Sequence, residues 1–227
     1  MPPLATGSFA AAVDHTLLDA AASAADIDRL CDEACEHRFA SVCVYPWWVA
    51  RAAARLQGAC AICTVIGFPH GLDRTAAKVA AVRDALAAGA SEIDAVIAYG
   101  ALRSGDDAAV LADARAVAEA VHRQPGALVK LIVESSRLDG DQLTRAGAVV
   151  AASGADFAKT STGFAGGATL EAVRSLRSTL PDAVRIKASG GIRSAEAAAA
   201  MLEAGASRLG TSSAIAILEE LSLDAVP

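Results

Sequence analysis

The sequence predicts an α/β fold, a single closed (β/α)8 TIM barrel, on three observations. Short apolar runs of strand length alternate with helical stretches, and eight such strand–helix units follow one another without a break. Three of the helices end in the same punctuation, Gly-Ala followed by a strand, at Gly89-Ala90, Gly154-Ala155 and Gly205-Ala206. At 227 residues the chain is near the roughly 250 typical of such a barrel, which leaves little room for insertions. An open doubly wound sheet is the alternative, but no GxGxxG signature follows the first strand. Because the alternation never breaks, residues 1–227 read as one domain.

Residues Phe9 to Asp14 form the first short apolar run, which ends in Asp14-His15-Thr16. Ser23-Ala24-Ala25-Asp26 is a capped helix start, and Ile27, Leu30, Cys31 and Ala34 share one face of that helix. Ser41–Val44 is the second strand, and Tyr45-Pro46-Trp47-Trp48 opens the next helix. The third strand, Ala59–Ile66, runs into the turn-forming Gly67-Phe68-Pro69-His70-Gly71, and a helix from about Asp73 stops at Gly89. Glu92–Ile97 is the fourth strand, with Tyr99–Leu102 as its exit and a helix over Asp106–His122 behind it. Leu128–Val133 is the fifth strand, carrying Lys130, and Asp141–Ser153 is helical. The sixth strand is Ala155–Lys159, the seventh Val184–Ala188 and the eighth Ser207–Gly210. Helices starting near Thr169, Ser194 and Ser212 follow them.

Hydrophobic residues are 54% of the chain and charged residues 20%, ample for a large core and far from disorder. A net charge of −6 gives no support to nucleic-acid binding or to an anionic membrane surface. An anionic ligand must therefore be held locally, by backbone amides and a few cations. Residues Met1–Gly7 lack a basic stretch leading into an apolar run, and no charge-free apolar stretch is long enough to cross a membrane, so the expectation is a cytoplasmic protein. The five cysteines, Cys31, Cys35, Cys43, Cys60 and Cys63, suit reduced thiols better than a disulfide framework. Cys60-Ala61-Ile62-Cys63 has CxxC spacing but no second pair, so buried small hydrophobes are a better account than zinc or redox chemistry.

The chemistry starts at Lys159, which closes the sixth strand ahead of Thr160-Ser161-Thr162-Gly163. A lone lysine at a strand end usually snorkels into solvent. Here lysines are only four, at 78, 130, 159 and 187, against sixteen arginines, and a lysine kept against that bias does what arginine cannot, which is to lose a proton. Lys187 ends the next strand twenty-eight residues later, about one strand-plus-helix repeat away. Two neighbouring amines at one end of the sheet are expected to depress each other's pKa, a route to a nucleophilic lysine. Asp14, Cys43 and Asp94 are read as reaching the same mouth, and two lysines beside Asp94 point to proton transfer.

Two adjacent loops carry a phosphate expectation. Ser189-Gly190-Gly191-Ile192-Arg193 follows the seventh strand, and Gly210-Thr211-Ser212-Ser213 follows the eighth and opens a helix, with Gly163 adding amides from the sixth. Barrels bind phosphate at these positions, although each glycine alone would be an ordinary turn. A reactive amine, an acid–base partner and a phosphate site together describe a class I, Schiff-base aldolase acting on a phosphorylated sugar. Such chemistry needs no metal and no cofactor, because the iminium is the electron sink.

From Asp14-His15-Thr16-Leu17-Leu18 to Gly210-Thr211-Ser212-Ser213 the chain also resembles the 2-deoxyribose-5-phosphate aldolases. The specific pieces are Lys159-Thr160-Ser161-Thr162-Gly163-Phe164 and Lys187-Ala188-Ser189-Gly190-Gly191-Ile192-Arg193, supported by Val42-Cys43-Val44-Tyr45-Pro46 and Glu92-Ile93-Asp94. The resemblance implies cleavage of 2-deoxy-D-ribose 5-phosphate to D-glyceraldehyde 3-phosphate and acetaldehyde, and a homodimer. It implies that Lys159 forms the Schiff base, Lys187 lowers its pKa and Asp94 relays protons through a water. Asp14 is then a hydrogen-bond partner for substrate or lysine, and Cys43 a non-catalytic neighbour of the substrate. Thr160, Gly163, Gly190, Gly191, Arg193, Gly210, Ser212 and Ser213 complete the expected binding set. The chain departs from the family pattern at Ala98-Tyr99-Gly100 and Glu134-Ser135-Ser136, and residues Leu221–Pro227 carry no counterpart of the tyrosine found in some members' tails. Other Schiff-base aldolases and a catalytically silent sugar-phosphate binder are the competing readings.

Overall fold

The computed structural model describes residues 4–223. Eight strands close into a parallel barrel in sequence order, with the last paired back onto the first. They are β1 (Val13–Leu17), β2 (Ser41–Val44), β3 (Ala61–Ile66), β4 (Glu92–Val96), β5 (Leu128–Ile132), β6 (Phe157–Lys159), β7 (Arg185–Ser189) and β8 (Arg208–Thr211). Helices alternate with them: α1 (Thr6–Ala11), α2 (Ala24–His37), α3 (Val49–Leu56), α4 (Thr75–Ala87), α5 (Tyr99–Arg103) and α6 (Asp107–His122). The second half continues with α7 (Gly140–Ser153), α8 (Leu170–Thr179), α9 (Ala195–Glu203) and α10 (Ala214–Leu223). The expected barrel is the observed one, and the open sheet is excluded by the β1–β8 pairing.

Local chemistry explains most boundaries. Ser23 accepts from the Asp26 amide while the Asp26 carboxylate accepts from the Ser23 amide, a reciprocal cap that starts α2. Asp139 and Gln142 repeat the device at α7, and the hydroxyls of Thr169 and Ser194 cap α8 and α9. Gly154 ends α7 in the left-handed region at φ 86°, which glycine adopts without a Cβ penalty.

The first apolar run departs from expectation. Phe9 and Ala10 belong to α1, and the strand begins only at Val13, so Asp14 is the second residue of β1 rather than its end. Four alanines among residues 5–12 favour a helix, and burying Phe9 completely anchors it. The exit of β4 is likewise a short helix, α5. Residues 224–227, where most of the expected tail falls, lie outside the described residues.

Side chains alternate in and out along each strand, so Glu92 and Asp94, or Phe157 and Lys159, share one face. The outward faces pack on the helices through residues such as Ile93, Val129, Leu131, Ala158, Ile186 and Leu209. With both faces buried, every residue of β4 is inaccessible. Among the described residues no helix is long and apolar enough to cross a membrane.

Candidate active site

Inside the barrel, among the described residues, the sequence places seven charged side chains where only apolar layers are structurally required. Asp14 comes from β1, Glu92 and Asp94 from β4, Lys130 from β5, Lys159 from β6, Lys187 from β7 and Arg208 from β8. Register alone brings several together: Asp94 lies opposite Lys130, and Lys159 opposite Lys187, which lies opposite Arg208.

Asp94 is the hub. Its Oδ2 accepts hydrogen bonds from Lys159 Nζ and Lys187 Nζ, each at 2.7 Å, and its Oδ1 accepts from Lys130 Nζ at 2.9 Å and Cys63 Sγ at 3.1 Å. Lys130 also meets Glu92 at 2.5 Å and Asp14 at 3.6 Å. Asp14 is clamped by Lys187 and by Arg208 Nη1, the latter at 2.5 Å, while Arg208 reaches Glu92 at 3.3 Å.

Burial alone would raise the carboxyl pKa values and lower those of the amines; the pairing overrides it. Asp94 is desolvated, yet Lys130, Lys159 and Lys187 hold its carboxyl well below the usual carboxylate range. Burial likewise opposes ionisation of Asp14, and Lys187, Lys130 and Arg208 prevail. Lys187 is pulled down by burial but held above the ordinary lysine range by Asp14 and Asp94. Lys130 follows the same pattern, with Asp94 as its strongest support. For Lys187 this corrects the expectation of a depressed pKa: the carboxylates around it outweigh the neighbouring ammonium groups. It stays a cation.

The placement of the cluster is also corrected. Asp94 and Lys187 are mid-strand and Asp14 is near the start of its strand, so all three lie in the barrel interior and not at its mouth. Lys159, last in β6 and 3% exposed, bridges the two regions: it touches Asp94 and lines a cleft of about 330 Å³ at the strand ends. That volume is at the small end of ligand clefts and suits a small metabolite.

Gly163, Gly190, Gly191, Arg193, Gly210 and Ser212 line the same cleft, as expected. The backbone N–H groups of Gly163, Gly190, Gly191 and Ser212 have no acceptor among the described residues. Amides left free on glycine-rich loops beside a helix start are an anion cradle. Glycine is required at 190: a Cβ there would meet Gly167 Cα at 3.0 Å and Gly163 Cα at 3.1 Å, at a φ of 87°.

The remaining expected residues fall elsewhere. Thr160 Oγ1 accepts from the Ser189 amide at 3.1 Å, which ties β6 to β7 without lining the cleft. The Ser213 amide donates to Thr211 Oγ1 at 2.9 Å, and Ser213 lines a separate groove against α2. Cys43 is buried opposite Cys63; the hydrogen bond between the two thiols pulls Cys43 down, while burial pushes Cys63 up. Leu18, Tyr45 and Phe68 pack over this pair, so Cys43 belongs to an apolar wall beneath the mouth.

Lys130, Glu92, Arg208 and Cys63 were not among the expected site residues. The signal for Lys130 was present, a lysine in the middle of the apolar strand Leu128–Ile132. Glu92 and Arg208 open strands after a turn, a position where charge is usually solvated, so nothing local marked them.

Residues 9–219 match the family model described as DeoC/LacD family aldolase. A deoxyribose-phosphate aldolase of Brevibacillus brevis is 48% identical over 208 residues, 91% of this chain and 93% of that one. One from Micrococcus luteus is 47% identical over 222 residues, covering 95% and 97%. Among solved structures, the tetrameric deoxyribose phosphate aldolase of Aeropyrum pernix superposes with a TM-score of 0.87 at 32% identity, covering 98% of this chain and 94% of that one. An aldolase designated QR15 gives 0.89 at 37% identity, covering 95% and 96%.

Proposed function

The chain belongs to the DeoC/LacD family of aldolases, and from that premise we propose that it reversibly cleaves 2-deoxy-D-ribose 5-phosphate to D-glyceraldehyde 3-phosphate and acetaldehyde through a Schiff base on Lys159, as a step of deoxyribonucleoside catabolism. The observation that carries this reading is the position of Lys159, which among the described residues is the one lysine that both lines the cleft and touches Asp94. The names and identities of the relatives support the substrate.

Charge counting supports the choice of nucleophile. Three buried carboxylates, Asp14, Glu92 and Asp94, are matched by Lys130, Lys187 and Arg208. Lys159 is then the one amine left over when each of these carboxylates is given one cation. Its Nζ attacks the C1 aldehyde of the open-chain sugar, and loss of water gives the iminium. A base takes the proton of the C3 hydroxyl, the C2–C3 bond breaks, and its electron pair flows into the iminium. The glyceraldehyde phosphate leaves, the enamine is protonated at C2, and water releases acetaldehyde and the free amine. Asp94 is the carboxylate from which a proton relay to the reacting atoms starts, by way of water, and Lys187 holds it anionic. The free amides of Gly163, Gly190, Gly191 and Ser212, with Arg193 at the exposed rim, receive the phosphate.

Borohydride trapping with acetaldehyde, followed by peptide mapping, tests this directly. An ethyl adduct on Lys159, with turnover abolished in Lys159→Ala, is the expected result. Absence of an adduct on folded protein, or full activity in Lys159→Ala, overturns the mechanism; an adduct on Lys187 exchanges the roles of the two lysines.

A further inference from the structure

Resting on the reading of the cleft as a sugar-phosphate site, we infer that Glu134 is a positioning residue that shapes the loop after β6 so that one backbone amide is kept for the ligand. Glu134 follows β5, is 1% exposed, and has no cationic partner among the described residues. A buried carboxylate without a cation is costly to desolvate, so its hydrogen bonds must account for it. All of them go to Thr162: the Thr162 hydroxyl donates to Oε2 at 2.5 Å, and the Thr162 amide reaches both carboxylate oxygens at 3.4 Å. The backbone of Glu134 is left-handed, at φ 56° and ψ 59°, an unfavourable conformation for glutamate that brings its side chain over the neighbouring loop.

The consequence lies one residue further on. Thr162 Oγ1, held by Glu134, accepts from the Phe164 amide at 3.0 Å. The amides of residues 162 and 164 are therefore both occupied, and the Gly163 amide between them has no acceptor among the described residues while Gly163 lines the cleft. Two further links from the same exit segment fix the loop: the Ser135 amide donates to Thr160 O at 2.8 Å, and Ser136 Oγ to Ala165 O at 3.2 Å. On the far side the loop rests on Gly190, whose carbonyl accepts from Ala168 N at 3.0 Å. Glu134 thus acts through Thr162 on Gly163, and touches no reacting atom.

Glu134→Ala, Thr162→Val and the double variant test this by two readouts. Inorganic phosphate affinity, measured by calorimetry, and KM for 2-deoxyribose 5-phosphate are each expected to worsen about tenfold in either single variant. KM for unphosphorylated 2-deoxyribose and acetaldehyde trapping on Lys159 stay at the parent level in Glu134→Ala. The double variant is no worse than either single one, because both remove the same link. Glu134→Gln, which keeps an acceptor for the Thr162 hydroxyl, stays within about threefold of the parent. If Glu134→Ala does not fold, Thr162→Val alone and combined with Glu134→Gln supplies the comparison. Phosphate affinity within twofold of the parent, equal loss with the unphosphorylated sugar, or additive effects each overturn the inference. Failure of the parent protein to trap acetaldehyde would overturn the aldolase reading instead, while the calorimetric arm would still decide the role of Glu134.

Discussion

Replacing Lys130 with methionine isolates what its charge does for the cluster. Methionine fills similar volume without an ammonium, so Asp94 and Glu92 lose a shared partner inside the barrel. Removing one member of a buried ion pair costs about 3–5 kcal/mol, measurable by denaturant unfolding. A second effect separates structure from chemistry: Asp94 Oδ1 loses its ammonium partner, so the carboxylate that Lys159 touches is held from one side only, and acetaldehyde trapping on Lys159 is expected to slow at every pH. An unchanged trapping profile would mean that Lys130 serves folding alone. Lys159 and Lys187 stand out in the sequence because each is followed by hydroxyls and glycines. Lys130 stands in an unbroken apolar run, and in a strand buried on both faces inward and outward positions look alike. Its partnership with Asp94 is a matter of register between strands thirty-six residues apart, which no local pattern carries.

At the level of elements, the cleft depends on loops in backbone contact. The loop after β6 lies so close to Gly190 that a methyl group there would press on the backbone of Gly163 and Gly167 at 3.0–3.1 Å. Gly190→Ala is expected to destabilise the protein by more than about 1 kcal/mol, because the positive φ is strained for alanine. It should also raise KM for the phosphorylated sugar roughly tenfold by pushing Gly163 out of place, with kcat less affected; steady-state kinetics beside a thermal melt separates the two. Capping residues and glycine stops made most helices legible: Ser23, Thr169 and Ser194 each cap where a start is expected, while the Asp139 cap lies two residues ahead of the expected start at Asp141. The first strand was misplaced because residues 9–13 are apolar throughout, so their division into a helix and a strand is decided by tertiary packing of Phe9. The loops that line the cleft were legible as glycine clusters. Which amides stay free was not, since that depends on side chains such as Glu134 reaching from a neighbouring loop.

For the whole molecule, the buried network sets a pH window. Asp14 and Asp94 have folded pKa values below the ordinary 3.8, so their contribution is complete above that value and is lost as pH falls beneath it. Lys130 and Lys187 are held above the ordinary 10.5, so theirs is complete below 10.5 and is lost as pH rises past it. Thermal melts should therefore show a plateau between the two, falling on both sides; Asp14→Asn should flatten the acid limb. A melt temperature declining steadily from pH 7 to pH 4 would contradict this. All three carboxylates lie on β1 and β4 and all four cations on β5 to β8, so the first half of the barrel is internally acidic and the second internally basic. Neither half could close on a copy of itself without burying like charges face to face. The buried charges of each half are compensated only by those of the other.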